Sequence, residues 1–332
     1  MDVSEYRKQY QEQLERDAGR QDRLRDVLDK SKSTPERLDA LESASGVKEQ
    51  DVVNDLINIV LNKDEDLQLR ISALDGVSIE VGENHDFIDL VLGVMGNESE
   101  PPLLRRASLR ILQQNSFRTI LFQPKRPEYL AVLRKIVDDN DAQLRLLAIE
   151  VLAAEKDEYV QRRLIEGLKD PAIALVPPEK ALEFLGYDIH GDYYPILREI
   201  IDNPPNLAAK REAIRLLSSD AASMGLFVNL LRDKNEDEEI RKASAIALQS
   251  IAPAEFEEQA KQIVLDDDEG DDLRAISISA LDYFGDKEKL SNDEEFSRQI
   301  EQLSSQSQAG ELERAPSELE RAADRFIKRN RQ

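Results

Sequence analysis

The 332-residue chain has no cysteine, no tryptophan and only two histidines. Without cysteine there is no disulfide, no thiolate nucleophile and no Cys-ligated metal, so the fold must hold by packing alone. Aromatic residues make up 5% of the chain, and Gly and Pro number 13 each. That is too little punctuation for a turn-dense β protein, whereas 40% hydrophobic residues without bulky rings suit helices. No stretch approaches the roughly 18 apolar residues of a membrane span, and MDVSEYRKQYQEQLERDAGR at the start holds no apolar signal-peptide core. A soluble, cytoplasmic protein is the expectation.

Positive charge is also in deficit. Lys and Arg total 45 against 68 Asp and Glu, a formal net charge of −23. Residues 1–30 carry −1 and residues 321–332 carry +4, which leaves −26 on the body between them. Such a surface repels phosphate backbones and anionic membranes, so the partners expected are proteins with a basic surface or segment, not nucleic acid or membrane.

What the chain does have is a repeated phrase, an Arg followed three and four residues later by a small/apolar pair. It starts at Arg37, Arg70, Arg105, Arg145, Arg241 and Arg274, with Lys210 substituting once and a degenerate copy at Pro178. The first and last starts lie 237 residues apart in seven steps, a period of about 34 that stacked helix pairs satisfy. Upstream of each phrase a second apolar-periodic segment reads as the first helix of a pair, as in Asp51–Leu61 and Phe256–Val264. Acidic turns such as Asn62-Lys-Asp-Glu-Asp supply N-caps for the second helix.

On these residues the chain resembles the HEAT-repeat, armadillo-like family over roughly residues 34–285. The resemblance implies an all-α, right-handed α–α superhelix of about eight helix pairs with terminal capping helices. It also implies a structural ladder in which a turn acid or amide six residues before each Arg links neighbouring repeats. Asp64/Arg70, Asp139/Arg145, Asn235/Arg241 and Asp268/Arg274 keep that spacing, and the other four repeats depart from it. The organisation expected is a charged N-terminal capping helix (1–33), the array (34–303), a flexible linker (304–317) and a basic C-terminal helix (318–332). Ser317 and Glu320 have capping-box spacing before that last helix.

In a HEAT-like array the second helices line the concave face, and positions five after each key residue point into it. Reading them gives Glu42, Asp75, Arg110, Glu150, Glu183 and Arg215, then Ile246 and Ser279, as the candidate protein-binding row. The longest step contains the insertion Ser116–Pro127, whose Phe117, Ile120, Leu121 and Phe122 either pack back on the array or form a docking loop; Arg118, Lys125 and Arg126 of the same insertion face water on the first reading. Tyr187, Tyr193 and Tyr194 flank the degenerate phrase and carry the same two readings.

Catalytic chemistry has little to draw on. Neither His85 nor His190 is followed by Glu, which excludes the His-Glu iron sites of HEAT-like hydroxylases. The run Asp266–Asp272 is rejected as an EF-hand, because Gly270 as sixth loop residue would put Leu265 first; an acidic turn at a helix N-terminus is expected instead. No cofactor, metal or catalytic residue is assigned. The leading expectation is a non-enzymatic scaffold or adaptor, possible self-association through the basic last helix included. A HEAT-like bilin lyase subunit is the alternative, and a nucleic-acid enzyme of the HEAT-like DNA glycosylase type is third.

Overall fold

The computed structural model describes residues 8, 25–44, 50–78, 84–117, 119–189, 191–309 and 315–330. Of the expected N-terminal capping helix (1–33), only residues 8 and 25–33 are among them: residues 25–28 are helical, and 29–33 form the turn into the next helix. Among the described residues every regular element is helical and none is a strand, an all-α arrangement. It divides into two compact units, 1–176 and 177–332.

In the first unit, α1 (Thr34–Ala44) is followed by the antiparallel pairs α2 (Gln50–Leu61) with α3 (Leu67–Gly76) and α4 (His85–Gly96) with α5 (Pro102–Asn115). After the short α6 (Thr119–Phe122) come the pair α7 (Arg126–Ile136) and α8 (Ala142–Ala154), then α9 (Glu158–Lys169). The second helices α1, α3, α5 and α8 pack in succession, and α4 packs on α7 in the layer of first helices.

The second unit opens with the short α10 (Pro178–Leu185) and continues with α11 (Tyr194–Asp202) paired to α12 (Leu207–Leu217) and α13 (Met224–Arg232) paired to α14 (Glu238–Ile251). Then come α15 (Pro253–Leu265) with α16 (Asp271–Phe284), α17 (Lys287–Asn292), α18 (Glu294–Ala309) and α19 (Glu318–Asn330). Here α10, α12 and α14 follow one another, and the α18/α19 pair closes onto α15 and α16.

The helices form where apolar side chains recur at helical spacing. Val52, Val53, Leu56, Ile59 and Val60 bury one face of α2, and Phe256, Ala260, Ile263 and Val264 bury one face of α15. Burying each large side chain contributes about 1.5–3 kcal/mol, which is what fixes helices this short. Starts are set by side-chain caps: Asp66 accepts from the Gln68 and Leu69 N–H groups, Asp141 from Leu144 and Asp237 from Glu239. Ser317 and Glu320 bond reciprocally at the start of α19, as their spacing predicts.

Two expectations need correction. Residues 304–309 are not linker: α18 runs through Ala309, because Leu303 and Ser304 are buried and hold its last turns in the pair; residues 310–314 lie outside the described set. The insertion divides residue by residue between its two readings. Phe122 is buried with its ring edge-on to Tyr129 at 5.3 Å, and Leu121 is half-buried, whereas Phe117 is 82% and Ile120 90% exposed. Its cations are ion-paired and do not simply face water, Lys125 with Asp89 and Arg126 with Glu155; Arg118 lies outside the described residues.

Candidate functional site

The geometry that recurs from one helix pair to the next sits on the key arginines. Arg37, Arg70, Arg105, Arg241 and Arg274 each donate Nε–H to a carbonyl ten residues earlier: Val27, Val60, Met95, Leu231 and Val264. In the last four this is the penultimate residue of the first helix in the same pair. The last carbonyls of a helix have no intrahelical donor, and a guanidinium there also complements the negative end of the dipole. One side chain thus locks the two helices of a pair together.

In the first four of these the far side of the guanidinium reaches the next pair. Arg37 bonds Glu65, Arg70 bonds Glu100 at 2.6 Å, Arg105 meets Asp139 at 2.7 Å, and Arg241 takes Glu269 through two bonds of 2.7 and 2.5 Å. Lys210 makes the corresponding contact with Glu236. These are buried pairs: in Arg70–Glu100 the side chains are 3% and 6% exposed. Arg37 holds the Glu65 carboxyl below its usual range, and Arg241 does the same to Glu269.

The rungs therefore use different carboxylates from those the six-residue spacing picks out. Asp64, Asn235 and Asp268 are exposed, and the acids that reach the arginine or lysine of the preceding pair are Glu65, Glu236 and Glu269, one residue later and turned inward. Only Asp139 serves from the sixth position, and its rung is to Arg105. Arg145 makes neither a cross-pair bond nor the ten-residue bond; it donates to the Asp139 and Asn140 carbonyls of its own turn. Its residue ten back is the exposed Lys135, where the other arginines have a buried apolar residue. Arg274, at the end of its series, turns to Asp267 beside it. At the degenerate phrase α10 begins at Pro178 itself, so the preceding turn of helix is missing.

On the opposite register, the six charged positions of the row read from the sequence are exposed. Glu42, Asp75, Arg110 and Glu150 lie on α1, α3, α5 and α8, and Glu183 and Arg215 on α10 and α12. Neighbouring members interact. Desolvation raises the Asp75 carboxyl against the opposing pull of Arg110, and Arg215, bonded to Glu212, also experiences the charge of Glu183. In the second unit the row changes character: Ile246 on α14 is 68% exposed, and Ser279 on α16 lines an open groove of about 250 Å³ with Lys242, Asp272, Ile276 and Glu318.

Beside it lies a wider groove of about 470 Å³, lined by Glu236, Glu238, Asp268, Glu269, Asp271 and Asp272 together with Lys234 and Arg241. Asp272 borders both grooves. Several of these acids are committed: Glu236 to Lys210, Glu269 to Arg241, and the neighbouring Asp266 to Lys234, which holds its carboxyl low. Asp268, Asp271 and Asp272 stay exposed at the rim. Among the described residues no group of three His, Asp or Glu is placed to hold a metal ion, and no helix is long and apolar enough to cross a membrane.

The remaining sequence candidates are scattered. Tyr187 is 49% exposed, while Tyr193 and Tyr194 are half-buried at the start of α11. His85 is half-buried at the N-terminus of α4, and His190 lies outside the described residues. Two features escaped the sequence reading: the penultimate carbonyl as latch acceptor, and the paired grooves at α14–α16. The first had a signal, an apolar residue ten positions before each latching Arg; the second depends on which helix faces which and had none. Comparison of the chain with protein-family models and with curated proteins finds no match.

Proposed function

We propose that the chain is a HEAT-like, right-handed α–α superhelix that acts as a non-enzymatic scaffold, binding a basic protein segment along the exposed row of its second helices. The observation that carries this reading is the pairing of an apolar anchor with an acidic rim in the second unit. Ile246 and Ile276 are exposed by 68% and 43%, and Asp272 joins the groove that contains Ile276 to one rimmed by Asp268 and Asp271. Exposed aliphatic side chains of this size supply short-range affinity once covered. Uncommitted carboxylates around them favour a cationic partner and speed its approach.

The first unit supports the same reading with a different surface. Its row is charged at all four positions, and its insertion offers Phe117 and Ile120 to solvent while Phe122 fixes the loop from below. The test is affinity purification from the native source with wild-type chain, Ile246→Asp, the double variant Asp271→Lys/Asp272→Lys, and a control at the exposed Glu166→Lys. A protein set retained by wild type and control, weakened by both groove variants and lost more readily as salt rises is the expected result. Identical recovery with all four chains would defeat the proposal.

A further inference from the structure

α19 carries its apolar residues at Leu319, Ala322, Ala323, Phe326 and Ile327, a single stripe at i, i+3, i+4, i+7 and i+8. That stripe lies on α16 and α18, with Leu319, Ala322 and Ala323 buried and the Phe326 ring edge-on to Phe296 at 5.5 Å. The C-terminal end is held by charge. Arg329 meets the buried Asp282 at 3.0 Å, its guanidinium lies 4.5 Å over the Tyr283 ring, and Asn330 donates to the same carboxylate.

What α19 lacks is the latch. Arg321 stands in register with the key arginines, its N–H bonded to the carbonyl of the cap residue four back, as those of Arg70, Arg241 and Arg274 are. Yet Arg321 is exposed and pairs only along its own helix, with Glu318. The connection from Ala309 to Glu318 is eight residues, and an open groove of about 140 Å³ lined by Leu290, Ile300, Phe326 and Ile327 runs beside the C-terminal half of α19. The last helix is therefore complementary to its seat and held in its pair by the apolar stripe and a Ser304–Asp324 hydrogen bond, without the arginine latch.

We propose that α19 is an exchangeable helix and that the α16/α18 surface is a docking site whose second occupant is α19 of another copy of this chain. The argument for that occupant is the sequence already seated there: a second copy offers the same stripe, the same Phe326 edge and the same Arg329–Asp282 pair. Exchange conserves every contact, so the two forms differ mainly in effective concentration. The tethered helix sits at a local concentration on the order of millimolar and dominates until the connection can no longer fold back. This inference does not rest on the scaffold reading, although the seat shares α16 and Glu318 with the Ile276 groove.

The test uses a fluorescent peptide of residues 315–332 titrated into three full-length chains. Against Phe326→Ala/Arg329→Glu, whose own helix is unseated while the seat is intact, it binds at least roughly tenfold more tightly than against wild type, where the tethered helix competes. Asp282→Lys added to that variant weakens binding again. Equal affinity for wild type and the unseated chain, or no binding to the unseated chain, overturns the proposal. A second chain, with residues 310–317 replaced by a helix-forming segment so that α18 and α19 become continuous, sediments as a dimer; a folded monomer by circular dichroism and sedimentation counts equally against it. An unrelated protein that displaces the peptide without any dimer in the second chain would show that the seat serves a partner and not a copy, and would overturn the assignment of occupant.

Discussion

The two units share one buried framework and differ in what they show to solvent. In residues 1–176 three rungs, Arg37–Glu65, Arg70–Glu100 and Arg105–Asp139, run in series and stop at Arg145, which bonds only its own turn. In residues 177–332 the series is Lys210–Glu236 and Arg241–Glu269, and it stops at Arg274, which turns to Asp267. Outside, the first unit presents a wholly charged row and an insertion tipped by Phe117 and Ile120; the second presents an apolar stretch at Ile246 and Ile276 edged with free carboxylates. Repetition is kept where a guanidinium must be desolvated and paired. Variation sits at positions outside this buried framework, and those are the positions open to selection for binding.

Removing single latches and a series terminus has the largest expected effect. Arg70→Ala and Arg241→Ala each leave a buried carboxylate without its cation and a helix end without its donor, and each lowers unfolding free energy by about 3–5 kcal/mol. Arg145→Ala removes only bonds to two turn carbonyls and costs about 1 kcal/mol. Urea denaturation of the three variants checks this, and an Arg145 effect as large as the other two would erase the distinction between rung and terminus.

Acid comes next, because it acts on both series at once. The folded-state carboxyls of Glu65 and Glu269 lie below the ordinary 4.5, so their contribution is complete above that value and is lost as pH falls through the lowered one. Thermal midpoints measured from pH 7 downward hold until about pH 4.5 and then decline. In a Glu65→Gln/Glu269→Gln chain, already less stable at neutral pH, the acid decline is shallower; an unchanged slope would mean that other carboxylates govern it.

The smallest effect separates the insertion of the first unit from the rest. Tyr129 is 1% exposed and its hydroxyl has no hydrogen-bond partner, while burial pushes the phenol well above its ordinary value. Its ring is needed against Phe122, but the oxygen is not. Tyr129→Phe therefore raises stability by about 1 kcal/mol, measured by the same urea titration, and a loss of similar size would point to a buried water on that oxygen.

Much of this was legible without coordinates. The helix pairs and the second-helix starts follow from apolar residues at i, i+3 and i+4, from Asp and Asn at N-caps, and from a period near 34. These depend on neighbours within a turn or two of helix, where backbone geometry alone decides which side chains share a face. The rung partners did not follow. Asp64 and Glu65 are adjacent carboxylates, and only the path of the turn decides which one meets a guanidinium brought in from 28 residues before it. Phe117 and Phe122 are likewise indistinguishable by composition, yet one is 82% exposed and the other 1%. The seat of α19 on α16 belongs with these, because its Arg329–Asp282 contact joins residues 47 apart. Local periodicity determined the helices and their faces; the reach of side chains between helices, set only when the array packs, decided which charges pair, which rings are covered and which surfaces remain open.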